Sequence, residues 1–173
     1  KNPHHTNPRK GHHMSYPAFA VANTLIERSK MTGVPLTPLK LQKVMYFLTS
    51  EYAKETGGEN LMLDNFQAWA YGPVVPAIYQ EFKPFRANPI TGYATDSQGY
   101  ILKVTVAENP AFERTLNRVW GATASKTPTQ LVTISQAGGS AWSQTWSDEA
   151  GDGDPIPFEA VKNDSTYKEH LGL

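Results

Sequence analysis

A mainly α, α+β fold is predicted by three observations: about five to seven helices carrying a small antiparallel β-hairpin around residues 88–106. Apolar residues recur at helical spacing through most of the chain. Three cap–proline pairs, Thr37-Pro38, Asn109-Pro110 and Thr127-Pro128, mark helix starts. One short segment, residues 100–106 (YILKVTV), instead alternates with period two.

The first helix is expected over residues 15–31. Ser15 reads as its cap and Pro17 fits the first turn, while Ala18, Val21, Ala22, Leu25 and Ile26 form one apolar stripe ending at Thr32-Gly33. The second helix opens at Thr37-Pro38. Leu41, Val44, Met45, Leu48 and Tyr52 follow on one face, and Gly57-Gly58 stops it. Lys40, Lys43 and Lys54, diluted by Glu51 and Glu55, read as its solvated face. The two helices should pack as an antiparallel or crossed pair.

Residues 66–71 are aromatic-rich and read as extended or helical. Gly72-Pro73 then breaks the chain, and a short helix from Val74 carries Val75, Ile78, Tyr79 and Phe82 up to Pro84. Residues 86–99 read as loop. In 100–106, Tyr100, Leu102, Val104 and Val106 face one way, Lys103 and Thr105 the other. A lone strand leaves its backbone unpaired, so a partner is expected within residues 88–96.

Asn109-Pro110 opens a helix to about Ala124 with Phe112, Leu116, Val119 and Thr123 inward. Thr127 and Gln130 form a capping box for the next, which carries Leu131, Val132 and Ile134 and stops before Gly138-Gly139. Trp142 and Trp146 lie one turn apart on a short helix, residues 147–155 form an acidic Gly-rich loop, and a last helix falls within 156–171.

Residues 1–13, KNPHHTNPRKGHH, lack apolar periodicity and read as an expression tag or vector remnant, leaving 14–173 as a single domain. A native metal-binding tail through His4, His5, His12 and His13 is the alternative. Setting aside Lys1, Arg9 and Lys10 leaves 13 basic against 16 acidic residues, a net charge of −3. Such a body offers no overall attraction to nucleic acid. The chain has no cysteine, which excludes disulfides and thiolate chemistry. No apolar run approaches the ~20 residues of a membrane span and no secretory signal is visible, so a soluble cytoplasmic protein is expected.

Catalytic sets are sparse. His170 is the body's one histidine and lies near the chain end, a poor platform for a Ser–His–Asp site. No Gly-rich phosphate cradle occurs. Asp148, Glu149, Asp152 and Asp154 do not match EF-hand spacing and read as a solvated loop. No cofactor or metal is called for. A helix-turn-helix DNA reader would need a basic face around Lys40, Lys43 and Lys54. The stronger signal is residues 66–85, where Phe66, Trp69, Tyr71, Tyr79, Phe82 and Phe85 crowd among Gly72, Pro73, Pro76 and Pro84. Most of these rings should line the core. Any left exposed, such as Tyr71 or Tyr79, would be binding anchors on a proline-stiffened surface.

These residues also carry a resemblance. TPLKLQKVMYFLTSEY followed by FQAWAYGPVVPAIYQEFK resembles the Panacea antitoxin domain, the SocA-like or phage-associated GepA family. Thr37, Lys40, Leu41, Gln42, Lys43 and Tyr46 match its T-x-x-K-L-Q-K-L-x-Y helix, with Val44 in place of Leu. Ala68, Trp69, Tyr71, Gly72, Pro73, Val74, Pro76, Tyr79 and Phe82 match A-W-x-Y-G-P-V-x-P-x-x-Y-x-x-F. TPTQLVTISQAGGSAWSQTW is similar to a further segment, but Gln136 stands where that pattern has His and Ala141 where Pro is common.

The resemblance implies an antitoxin, often prophage-borne and linked to phage defence, that neutralises a cognate toxin by direct binding rather than catalysis. Toxins paired with the family include translation-targeting, alarmone-synthetase-like enzymes. In one branch the domain is an adaptor delivering the toxin to a protease. A DNA-binding prophage regulator is the other alternative, and a homo-oligomer is left open. The candidate toxin-binding residues are Lys40, Lys43, Trp69, Tyr71, Pro73, Val74 and Tyr79.

Overall fold

Helix α2 (Pro38–Glu55) is the axis around which the other elements of the computed structural model are arranged. The structure describes residues 15–173, so the reading of residues 1–13 as a tag lies outside the described residues. The start of α2 is as expected, with Pro38 in the first turn and Thr37 Oγ1 accepting from the Lys40 amide at 3.2 Å. Every residue from Lys40 to Ala53 is buried. The reading of Lys40, Lys43 and Glu51 as a solvated face is therefore corrected: they are 5%, 0% and 1% exposed. An amphipathic pattern assumes one packed face, whereas α2 is packed all round.

Helix α1 (Ala18–Thr32) lies on one side. It starts three residues later than expected, and Ser15 is not its cap. The Ser15 hydroxyl donates to Asn60 O at 2.6 Å, and the Ala18 amide is capped from a distance by Asp64 Oδ1 at 2.9 Å. Helix α4 (Pro110–Thr123) covers another side, capped by Asn109 Oδ1 on the Phe112 amide. In α5 (Pro128–Ser135) both halves of the Thr127–Gln130 capping box are formed. Short helix α6 (Ala141–Thr145) starts at Ser140, as its Ser143 amide bond shows.

The sheet lies away from the expected place. Strands β1 (Gln67–Trp69) and β2 (Gly72–Val74) form an antiparallel hairpin with Trp69 opposite Gly72. From the acidic loop, β3 (Asp154–Pro155) pairs with the other edge of β1. Helix α3 (Pro76–Phe82) follows β2 directly, and a single 3₁₀ turn, Lys83–Phe85, extends it.

The hairpin expected within residues 88–106 does not form. Residues 100–105 run without helix, turn or bend, but among the described residues no strand pairs with them. Asn23 of α1 takes the place of a strand. Its Nδ2 donates to Ala94 O and Leu102 O, both at 2.9 Å, and its Oδ1 accepts from the Ala94 amide at 2.8 Å. Thr24 Oγ1 accepts from the Val104 amide at 2.9 Å. A side-chain amide offers the same donor and acceptor as a peptide group, so it wedges the would-be hairpin open. Val104 is buried, whereas Tyr100 and Leu102 stay 64% and 41% exposed.

The expected last helix is two, α7 (Phe158–Asn163) and α8 (Lys168–Leu171), divided at Asp164. That carboxylate is buried. It accepts from the Tyr46 hydroxyl, the Ala141 amide at 3.2 Å, and the Thr166 amide and hydroxyl at 2.9 and 2.6 Å. Asp164→Ala should lower stability by about 3 kcal/mol in urea denaturation, because a buried tyrosine hydroxyl and a buried amide lose their acceptor. Thr127→Ala, which removes an exposed cap, should cost only about 1 kcal/mol.

Candidate functional site

The β1–β2 hairpin is held from beneath by α2. Gln42 Oε1 accepts from the Val75 amide at 2.9 Å and its Nε2 donates to Val75 O at 3.1 Å. The next residue of α2 holds it too: Lys43 Nζ donates to Pro73 O at 2.7 Å. Gly72 adopts φ +101°, and a Cβ there would sit 2.7 Å from Ser135 Oγ and 3.0 Å from Lys43 Nζ. Only glycine combines that backbone with that closeness. The preceding turn residues, Ala70 and Tyr71, keep negative φ, so the turn closes through the glycine.

The tip is pinned from three further elements. The Ala70 amide donates to Asp152 Oδ1 at 2.7 Å, Gln136 Nε2 donates to Ala70 O at 2.8 Å, and Trp142 Nε1 donates to Trp69 O at 2.7 Å. Trp142 itself stacks on Trp146, with centroids 5.5 Å apart. The result is a rigid turn that presents Tyr71 to solvent, 70% exposed.

Beside it lies a pocket of about 400 Å³. Val74 and Ile78 floor it, Trp69 and Tyr79 meet edge-on with centroids 4.9 Å apart, and Pro38 and Leu39 of α2 close one wall. Lys83 and Arg86 stand on one rim and Asp152 on another. An apolar floor with an aromatic wall and a few rim charges suits an inserted side chain of a partner.

Of the seven sequence-predicted site residues, Trp69, Tyr71, Val74 and Tyr79 line this one pocket. Pro73 is buried and contributes its carbonyl to Lys43. Lys40 and Lys43 are interior. Lys40 Nζ donates to Ala124 O at 3.0 Å, at the C-cap of α4, and to Lys126 O at 2.8 Å in the turn that follows. Lys54 is partly buried and likewise bonded, to Lys162 O at 3.0 Å. The lysine face that DNA reading would use is thus turned inward. Sequence reasoning missed Gln42, Gln136, Trp142 and Asp152 as supports of the hairpin. Gln136 was visible only as a departure from His, and nothing local ties Asp152 to a turn 82 residues earlier.

Burial pushes the Lys43 ammonium down to about 7, with a carbonyl as its hydrogen-bond partner. Burial also lowers Lys40. Lys54 is lowered by burial first, with Glu51 opposing. Tyr167 is raised, first by burial and then by its hydrogen bond to Glu51 at 2.6 Å.

The model of the antitoxin SocA-like, Panacea domain family matches residues 41–143. The chain belongs to this family. The matched span holds the hairpin, the pocket walls from Trp69 to Arg86, and the pins Gln136 and Trp142. Thr37, Lys40 and Asp152 fall outside it. The chain is also similar to Antitoxin SocA of Caulobacter vibrioides (strain NA1000 / CB15N), at 29% identity over 131 residues, which is 74% of this chain and 69% of that protein. No solved structure matches the present chain. In this member of the Panacea family, the residues behind the resemblance divide by role. Lys40, Gln42, Lys43, Tyr46, Gly72 and Pro73 build the platform, and Trp69, Tyr71 and Tyr79 stand on it.

Unfolded lysine titrates near 10.5, whereas Lys43 in the fold titrates near 7. Between those values the unfolded chain holds the extra proton, so raising the pH stabilises the fold. The urea midpoint should rise from about pH 7 to about pH 9.5, below the ordinary tyrosine range. The Lys43 contribution to the slope approaches about 1.4 kcal/mol per pH unit. Lys43→Met should remove that contribution. Gly72→Ala should destabilise by about 2 kcal/mol or more in the same assay, since it meets both the left-handed backbone and Ser135.

Proposed function

We propose that this chain is a cytoplasmic antitoxin that neutralises a cognate toxin by binding it directly, without catalysis, at the face formed by the β1–β2 hairpin and α3. The observation that carries the reading is Tyr71, 70% exposed on a turn fixed by Asp152, Gln136 and Trp142 beside the aromatic pocket. A rigid aromatic anchor loses little entropy on binding, and the Trp69–Tyr79 pair is already in place. Within this reading Trp69, Tyr71, Val74 and Tyr79 touch the toxin. Pro73, Lys40 and Lys43 support that surface without touching it. Prophage carriage, phage defence and a translation-targeting, alarmone-synthetase-like toxin belong to the same proposal. Family membership and the similarity to Antitoxin SocA support it.

Tyr71→Ala and Tyr79→Ala should each keep the circular-dichroism spectrum and weaken binding of the adjacent-gene toxin at least tenfold by calorimetry, with loss of growth rescue on co-expression. Undiminished neutralisation by both folded variants would move the interface elsewhere. Purified toxin and antitoxin without protease should show full inhibition; inhibition only in the presence of a protease would replace occlusion with delivery.

A further inference from the structure

The segment the sequence marks as a strand has one satisfied edge and one open edge. On the inner side, Leu102 O and the Val104 amide are bonded to Asn23 and Thr24, and the Tyr100 amide and carbonyl are bonded to Asp96. On the other side lie Ile101 and Lys103. Among the described residues their amides and carbonyls take part in no hydrogen bond. In extended backbone, alternate residues point their peptide groups the same way, so Ile101 and Lys103 present one row of donors and acceptors outward. The row sits in exposed apolar surface, with Tyr100 64%, Ile101 50% and Leu102 41% exposed. Protein edges of this kind are normally blunted by a lysine projecting over them. Here Lys103 is drawn aside, 3.3 Å from Glu27 and 4.5 Å from the Tyr93 ring.

We infer that this edge is a pairing surface for a second copy of the chain, the two 100–105 segments forming an antiparallel two-stranded ribbon about a twofold axis at Leu102. The geometry is self-complementary, as a twofold interface requires. With the axis at Leu102, Ile101 of each copy pairs with Lys103 of the other, which uses every open amide and carbonyl of both residues. Charge selects this register. An axis at Lys103 would oppose two ammonium groups, and like charges directly opposite are destabilising. The axis at Leu102 places each lysine opposite an isoleucine and leaves its bridge to Glu27 intact. It also brings the two exposed Leu102 side chains together under Tyr100. A ribbon of six residues a side falls at the low end of interface sizes, below about 1,200 Å², where weak, reversible association is the rule.

The chain has no cysteine, so single cysteines report the register unambiguously. Residues facing each other in a non-hydrogen-bonded pair stand about 4.5 Å apart at Cα, within disulfide reach. Leu102→Cys should oxidise to a covalent dimer at least tenfold faster than Lys103→Cys or the exposed control Leu63→Cys. Sedimentation from about 10 µM to 1 mM should show reversible dimerisation of the unmodified chain. Ile101→Lys, which opposes lysine to lysine, should weaken it at least tenfold, whereas Ile101→Glu should not. A chain that stays monomeric throughout, or Lys103→Cys crosslinking faster than Leu102→Cys, overturns the inference. Neither result bears on the hairpin face that the toxin is proposed to use.

Discussion

The structure depends on keeping a polar helix in the centre of the molecule. Helix α2 is surrounded by α1, α4, α5, α7 and β2, yet carries two lysines, a glutamine, a glutamate and four hydroxyl-bearing residues on its buried length. Burying such groups unpaired costs several kcal/mol in total. The chain meets that constraint by giving each one a partner: Thr49 bonds back to Met45 O within α2, and the others reach the surrounding segments. Lys40 takes the end of α4, Gln42 and Lys43 the hairpin, Tyr46 takes Asp164, and Ser50 accepts from Tyr167 while donating to Val161 O. Glu51 holds Lys168 at 3.0 Å and Tyr167. Among the described residues, no buried side-chain nitrogen or oxygen lacks a partner. The polar residues of α2 therefore set where its neighbours go, which apolar contact alone, being non-directional, does not.

The proposed binding face inherits its rigidity from this arrangement. Two α2 side chains hold the hairpin from below, and Asp152, Gln136 and Trp142 hold its tip from three later parts of the chain. The backbone next to the exposed Tyr71 is thus held by side chains from three other parts of the chain. Substituting a platform residue such as Lys43 perturbs the face through the fold, so loss of function at such positions is not evidence of contact with a partner. The same principle explains the Ile101–Lys103 edge. Asn23 substitutes for a strand on one side of the segment and leaves the other side without one.

Much was legible because it is local. Caps at Thr37, Asn109 and Thr127 depend on a residue and its third neighbour, and all three form. The motifs at residues 37–46 and 68–82 together carried the resemblance to the family. The cap expected at Ser15 failed because a distant carboxylate, Asp64, reached the Ala18 amide instead. The hairpin expected at 88–106 failed for a related reason: period two reports extended backbone, not the identity of what pairs with it. Asn23 satisfies the same groups that a strand would.

The sequence by itself determined most of the helices, the caps at Thr37, Asn109 and Thr127 and, through two short motifs, the resemblance to the Panacea family. Those properties follow from neighbours within a turn or two and from side-chain chemistry. Only the tertiary structure decided which polar residues are inside. Lys40, Lys43 and Glu51 look like a solvated stripe in sequence, because nothing local shows that a second layer will close over them. Whether Tyr71 or Lys43 meets solvent is settled by segments up to 82 residues away. For this protein that difference separates a surface that can bind from the scaffold that holds it in place.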